Sequence, residues 1–311
     1  MSKRRAVLLY NPYAGKRGHR VYWIESVAAS LRGQGFDVDV VATEGPGTAG
    51  RQAAGLAAEN DIIFACGGDG TVNEVLQGLA LRSEVALGVV PLGSANVLAR
   101  HLKLSMDPVR AALQQIERAP RTVPVGEVRF QTATGEGMRY FVVMAGAGPD
   151  GALVYKMLAT GKHKLGRAMY YVRAAMLFCR ARFSAFPVEL ESVSGQRERL
   201  HAVSAMAVRV GDLGGLFSPL IQGASVDHPY IKLTIAKTPA RLSLPAWFAM
   251  SWARLHRWNR FVKTLDVTEF ECGAGHTKAV HVQADGEWLG RTPMRVKIVP
   301  DGVRLLMPEH D

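Results

Sequence analysis

An aspartate stands inside a run of glycines at Gly67-Gly68-Asp69-Gly70-Thr71. Five apolar residues, 62–66, precede the run. Val72, Val75, Leu76 and Leu79 follow it on one helical face, so the stretch reads as strand, turn and helix. Glycines let another group approach the bare backbone, and a helix N-terminus attracts phosphate through unpaired N–H groups and its dipole. Thr71 and Glu74 have the spacing of a capping box. A carboxylate at Asp69 would repel a phosphate unless a cation or a proton transfer intervenes. The pattern therefore points to a Mg²⁺-nucleotide site and phosphoryl transfer. A structural turn with Asp69 merely solvated fits the same residues, because glycine-rich fingerprints are weak in isolation.

Other small polar residues lie just after predicted strands. Asn11 follows the apolar run 6–10, Thr43 follows 38–41, and Ser94 and Asn96 follow 86–90. Such groups can bond phosphate, ribose or base, and Ser94 and Asn96 also suit helix capping. Lys16 and Arg17 sit in the first loop, where they either neutralise phosphate or remain solvated. Strands alternating with helices through residue 122 predict a doubly wound parallel sheet, with ligands outside the carboxyl ends of the strands. Pro108 marks the first turn of one of these helices.

The texture changes after residue 122. Short runs at 123–130, 140–144, 188–190, 202–210, 231–235, 267–271, 279–283 and 294–298 read as strands with turns between them. They predict an antiparallel, β-sandwich-like second domain at 123–302, after a nucleotide-binding α/β domain at 1–122. A last strand, 303–307, is expected to rejoin the first domain.

The glycine run with Asn73 and Glu74 resembles the diacylglycerol kinase catalytic domain family, which includes bacterial lipid kinases, sphingosine kinases and ceramide kinases. NAD kinases share its Gly-Gly-Asp-Gly core. Four more segments resemble the family: Asn11-Pro12 with Gly15 and Lys16, Pro91–Asn96 with Ser94 in place of Thr, Gly148-Pro149-Asp150, and Asp285-Gly286-Glu287. The resemblance spans almost the whole chain. It implies an ATP- and Mg²⁺-dependent lipid kinase acting on a diacylglycerol-, sphingoid- or ceramide-like hydroxyl. It implies nucleotide contacts from Asn11, Lys16, Thr43, Gly67, Gly68, Asp69, Gly70, Thr71, Asn73, Ser94, Asn96, Asp285 and Gly286. Glu287 is the implied general base, and Asp69 the Mg²⁺-ordering carboxylate or co-base. Without the resemblance, Asp285-Gly286 is an ordinary hairpin turn with Glu287 on its solvated flank. The chain departs from the family at Gly211-Asp212 and at Asp227-His228-Pro229, so no metal site is assigned there, and Asp212 and Asp227 are weak candidates.

With 38 basic against 27 acidic residues, the net charge is +11, which suits an anionic partner. No nucleic-acid recognition motif is present. Two insertions, at about 151–184 and 245–263, interleave Lys and Arg with large apolar residues. They predict peripheral binding to an anionic membrane surface. Three scattered cysteines read as reduced thiols of a cytoplasmic protein. Oligomeric state, a homodimer included, stays open. A NAD kinase-type enzyme and a non-catalytic lipid- or nucleotide-binding regulator are the alternatives.

Overall fold

Apolar runs without a polar face become strands covered on both sides. In a computed structural model of the chain, β1 (Arg5–Tyr10), β3 (Ile62–Gly67) and β4 (Ala86–Pro91) are buried over nearly their whole length. The structure describes residues 3–14, 20–117, 119–159, 183–211, 223–237, 250, 262–274 and 280–307. Lys16, Arg17, Asp212 and most of both basic insertions lie outside them. The chain divides into two units: the first contains Met1–Val125 and Val299–Asp311, the second Gly126–Gly211 and Gly215–Ile298.

In the first unit, β2 (Asp37–Ala42), β1, β3 and β4 pair in that order, all parallel. Helices α1 (Arg20–Gly33) and α5 (Pro108–Ile116) pack together, as do α2 (Ala49–Leu56) and α3 (Asp69–Leu79). Leu8, Ile24, Leu31, Phe64 and Val90 share the core. The doubly wound sheet expected from the alternating pattern is present. α5 starts as its sequence predicts, with Asp107 accepting from the Arg110 amide and Pro108 in the first turn.

The expected capping box does not form. α3 begins at Asp69 and its N-cap is Gly68, so Thr71 already lies inside the first turn. Glu74 points instead at the start of α2, accepting from the amides of Gly47 at 2.9 Å and Ala49 at 3.2 Å. It supplies the acceptor that Thr48, the N-cap of α2, does not.

One residue of α5 completes β4. Gln115 is fully buried; its Oε1 accepts from the Val89 amide at 2.8 Å, and its Nε2 donates to the Val89 carbonyl at 2.8 Å. The final strand of the chain, β14 (Glu287–Leu305), pairs with β4 only at Arg304↔Ala86 and Leu305↔Leu87. The Gln115 amide therefore takes the place of a further strand residue.

The second unit is antiparallel. Its strands are β6 (Gly135–Phe141), β7 (Met144–Ala147), β8 (Phe186–Ser192), β9 (Arg197–Ala202), β10 (Ser204–Val208), β11 (Ile231–Ala236), β12 (Val262–Cys272) and β13 (His281–Ala284). With them go most of β5 (Arg121–Thr132) and the first part of β14. The pairings β14–β13–β7–β10–β11–β12 close on themselves, because β12 also pairs with β14. The result is a flattened, sandwich-like layer pair around Phe141, Phe186, Ile231 and Phe270. The single strand expected over 140–144 is two strands. The amides of Val142, Val143 and Met144 turn to the Asp285 carboxylate, which separates β6 from β7 along the chain.

Replacing Gln115 by Leu keeps the volume but leaves a buried N–H and C=O without partners. Each such group costs about 1–3 kcal/mol, so Gln115→Leu is expected to lower stability by about 2–6 kcal/mol. Urea denaturation of the two proteins measures this.

Candidate active site

The strand order 2-1-3-4 reverses between β1 and β3, and open parallel sheets bind ligands at that reversal. The first loop is tied there. The Asn11 amide donates to the Cys66 carbonyl at 3.1 Å, its Nδ2 donates to Thr71 Oγ1 at 3.3 Å, and its Oδ1 accepts from the Tyr13 amide at 2.8 Å. The Thr43 amide donates to the Tyr10 carbonyl at 2.8 Å.

The turns after β3 and β4 touch through bare backbone. A Cβ on Gly93 would lie 2.4 Å from Gly68 Cα, and one on Gly67 would lie 2.4 Å from Thr71 Oγ1. Only glycine permits that approach. A carboxylate then joins the two turns: Asp69 Oδ2 accepts from the Asn96 amide at 2.9 Å and Oδ1 from the Val97 amide at 2.6 Å. These are the leading amides of α4 (Val97–His101). Asn96 itself sits at φ 50°, and its side chain bonds both the amide and the carbonyl of Gly93 at 2.9 Å. Burial raises the Asp69 carboxyl above its ordinary value, against the lowering effect of the Val97 and Asn96 amides.

Asp69 is therefore a partly buried acceptor that joins two turns rather than a solvated turn residue. Thr43, Thr71, Asn73 and Asn96 are buried and shape the rim from within. Gly70 and Ser94 are exposed on it, and Gly68 is partly so. Bare backbone at Gly68 and Gly93 keeps side chains off the place where the two turns meet.

In the second unit, Asp285 and Gly286 form the two-residue turn between β13 and β14, with φ 45° and 83°. Two positive φ values define the hairpin turn that suits strand twist, and Asp-Gly favours it. The Asp285 side chain accepts from Val142 at 3.2 Å, Val143 at 3.0 Å and Met144 at 2.9 Å. Its carboxylate anchors the backbone of Val142–Met144. Gly286 donates its amide to Gln283 Oε1 at 3.2 Å, and Gln283 Nε2 donates to Asp150 Oδ2 at 3.0 Å. Glu287, next along the chain, is half-buried and ion-paired with Arg139.

Asp150 opens α6 (Pro149–Ala159). Its Oδ1 is buried without a hydrogen-bond partner, and burial raises its carboxyl above the ordinary value. Sequence reasoning placed Asp150 in a matching segment but missed Gln283 and Arg139, because their partners lie 133 and 148 residues away.

Asp227 donates its amide to Ser225 Oγ at 3.4 Å. The buried guanidinium of Arg209 fills the space beside it, donating to the carbonyls of Val226, His228 and Tyr230. Burial pulls Arg209 down to about 10, while Asp227 and Asp285 oppose that shift. Among the described residues no group of three or more His, Cys, Asp or Glu side chains could hold a metal.

Removing the Asp69 carboxylate leaves two amides without acceptors. Asp69→Ala is expected to lose about 1–3 kcal/mol, with a smaller loss for Asp69→Asn, whose oxygen keeps one amide. Guanidinium denaturation of both variants tests this. For Asp150, the native state holds its proton at a pH where the unfolded chain, near 3.8, has lost it. The stability from this group is complete below that value and is lost as pH rises through the raised native value. Asp150→Asn should therefore gain on the parent protein as pH rises from about 4 to about 8, in urea midpoints measured at each pH.

Two family models match the chain: the diacylglycerol kinase catalytic domain over residues 5–128, and the YegS C-terminal NAD kinase beta sandwich-like domain over residues 142–307. A diacylglycerol kinase of Bacillus subtilis (strain 168) is 30% identical over 237 residues, covering 75% of this chain and 74% of that protein. One from Staphylococcus epidermidis is 24% identical over 309 residues, covering 99% and 93%. A crystal structure of a diacylglycerol kinase from Bacillus anthracis str. Sterne superposes with TM-score 0.69 at 19% identity, covering 99% of this chain and 98% of that one. Yeast NADH kinase complexed with NADH superposes with TM-score 0.54 at 12% identity, covering 99% and 84%. The two structures bear on the fold; the family models and the relatives bear on descent. The chain belongs to the diacylglycerol kinase catalytic-domain family and is a lipid kinase.

Proposed function

We propose that the protein transfers the γ-phosphate of ATP, taken up as its Mg²⁺ complex, to a hydroxyl of a diacylglycerol-, sphingoid- or ceramide-like lipid at an anionic membrane surface. Glu287 carries this reading: a half-buried carboxylate at the mouth of a turn that three backbone amides and Gln283 hold in place. Phosphoryl transfer asks little covalent chemistry of a protein, so a fixed base and a phosphate cradle meet most of its needs.

The lipid oxygen attacks the γ-phosphorus while its proton passes to the Glu287 carboxylate. The bond from the γ-phosphorus to the β–γ bridging oxygen breaks, and ADP leaves with that electron pair. The amides around Gly68, Gly70 and Ser94 receive the phosphates, with α3 presenting its N-terminus to them. Mg²⁺ brought in with the triphosphate would neutralise its developing charge. Asp69 keeps the two turns in register and would be the carboxylate that orders that metal.

The relatives named diacylglycerol kinase favour diacylglycerol among the three lipid classes. The charge of +11 favours an anionic surface. No helix among the described residues is long and apolar enough to cross a membrane.

The test is transfer of labelled phosphate from ATP to a panel of diacylglycerol, sphingosine and ceramide in vesicles of graded anionic content, with NAD as a soluble acceptor. Label should enter one lipid class and rise with anionic content. Glu287→Gln should lower kcat by ~10²-fold or more and leave the ATP KM unchanged. Label in NAD alone, or normal turnover by Glu287→Gln, would overturn the reading.

A further inference from the structure

We propose that Arg139 is the positioning residue of this kinase: its guanidinium holds the Glu287 carboxylate in the orientation from which it takes the lipid proton. The proposal rests on the reading of Glu287 as general base.

Arg139 occupies a place where the strand pattern calls for an apolar side chain. β5 and β6 form a hairpin in which Gly126 faces Phe141, Val128 faces Arg139, and Phe130 faces Gly137. These pairs share one side of the ribbon, because side chains alternate along a strand. It is the core side: Val128 and Phe141 are fully buried and Phe130 nearly so. The rings reach across to the glycines, since a Cβ on Gly126 would meet Phe141 at 2.1 Å and one on Gly137 would meet Phe130 at 2.6 Å. Arg139 therefore emerges between two aromatic side chains that cover the ribbon on either side of it. A cation there needs a partner, and Glu287 is that partner. The two side chains are 32% and 33% exposed, so water screens the pair less than an open surface pair.

The Glu287 side of the pair is equally constrained. Trp288, the next residue on β14, points to the opposite face. Its Nε1 donates to His281 Nδ1 at 3.1 Å, and its ring packs beside Tyr155 with centroids 5.1 Å apart. The backbone before Glu287 is held by the amides that Asp285 accepts. With both chain neighbours fixed, the remaining freedom of Glu287 is its own side-chain torsions, and Arg139 sets those. Misplacing a catalytic group by about 1 Å can cost ~10²-fold in rate.

The experiment uses the full chain with ATP and dispersed diacylglycerol. Arg139→Met keeps the stem over the apolar floor and removes the guanidinium; Arg139→Lys keeps the charge and loses the fork. Arg139→Met is expected to lower kcat by ~10- to 100-fold with the ATP KM unchanged, and Arg139→Lys to recover part of the loss. In the Glu287→Gln background the Met change should add nothing, because the group it positions is gone. A merely structural role would give equal losses in both backgrounds. Thermal melting of each variant identifies unfolding; if Arg139→Met unfolds, the same comparison is made with Arg139→Lys. Equal losses in the two backgrounds, or full turnover by Arg139→Met, overturns the proposal while leaving Glu287 as base. Full turnover by Glu287→Gln overturns both.

Discussion

The bond between the Asp69 carboxylate and the leading amides of α4 is the constraint on which the nucleotide rim depends. Two glycine turns with no side chains cannot hold each other by packing. Gly68 and Gly93 meet backbone to backbone, where dispersion alone would let them slide. A charged acceptor on one turn and two oriented donors on the other fix both distance and angle. α4 has only five residues and needs such an acceptor at its start. Asn96, in the left-handed region, closes the same turn onto Gly93 from within. Asn11 then ties the β1 loop to Thr71, so three strand ends share one hydrogen-bonded frame.

The second unit uses the same physical device with other residues. Asp285 accepts three consecutive amides as Asp69 accepts two, and the turn it fixes presents Glu287. Aspartate suits this work because its short side chain loses little rotamer freedom and its charge roughly doubles the strength of each amide bond. Both aspartates belong to segments that resemble the family, and both serve first as anchors. The groups beside them differ: Gly70 and Ser94 are exposed, and Glu287 is partly buried in its ion pair with Arg139.

The architecture was legible because the buried strands are uninterrupted apolar runs and the turns between them carry Gly, Pro and Asn at fixed positions. The two fold classes, the division of texture near residue 122 and the Asp-Gly hairpin all follow from such local signals. The partners of each side chain did not. Thr71 and Glu74 have capping-box spacing, yet the helix starts three residues earlier, and Glu74 caps a different helix. Gln115, Gln283 and Arg139 look like surface residues in sequence, because nothing local shows that Val89, Asp150 or Glu287 lies against them. The function was read through resemblance, since a carboxylate after an Asp-Gly turn is by itself unremarkable.

The pairing of β14 with β4 has a consequence for synthesis. Arg304 bonds the Ser83 carbonyl across 221 residues of chain, and Leu305 completes the edge of a sheet whose other strands are finished by Pro91. The first unit is thus interrupted by the whole of the second. On the ribosome its four parallel strands emerge early, with one flank of β4 uncovered until the chain returns. Contacts this distant close slowly. The Gln115 amide, made within the same early stretch, seals Val89 in the meantime and shields part of that flank from pairing with another nascent chain.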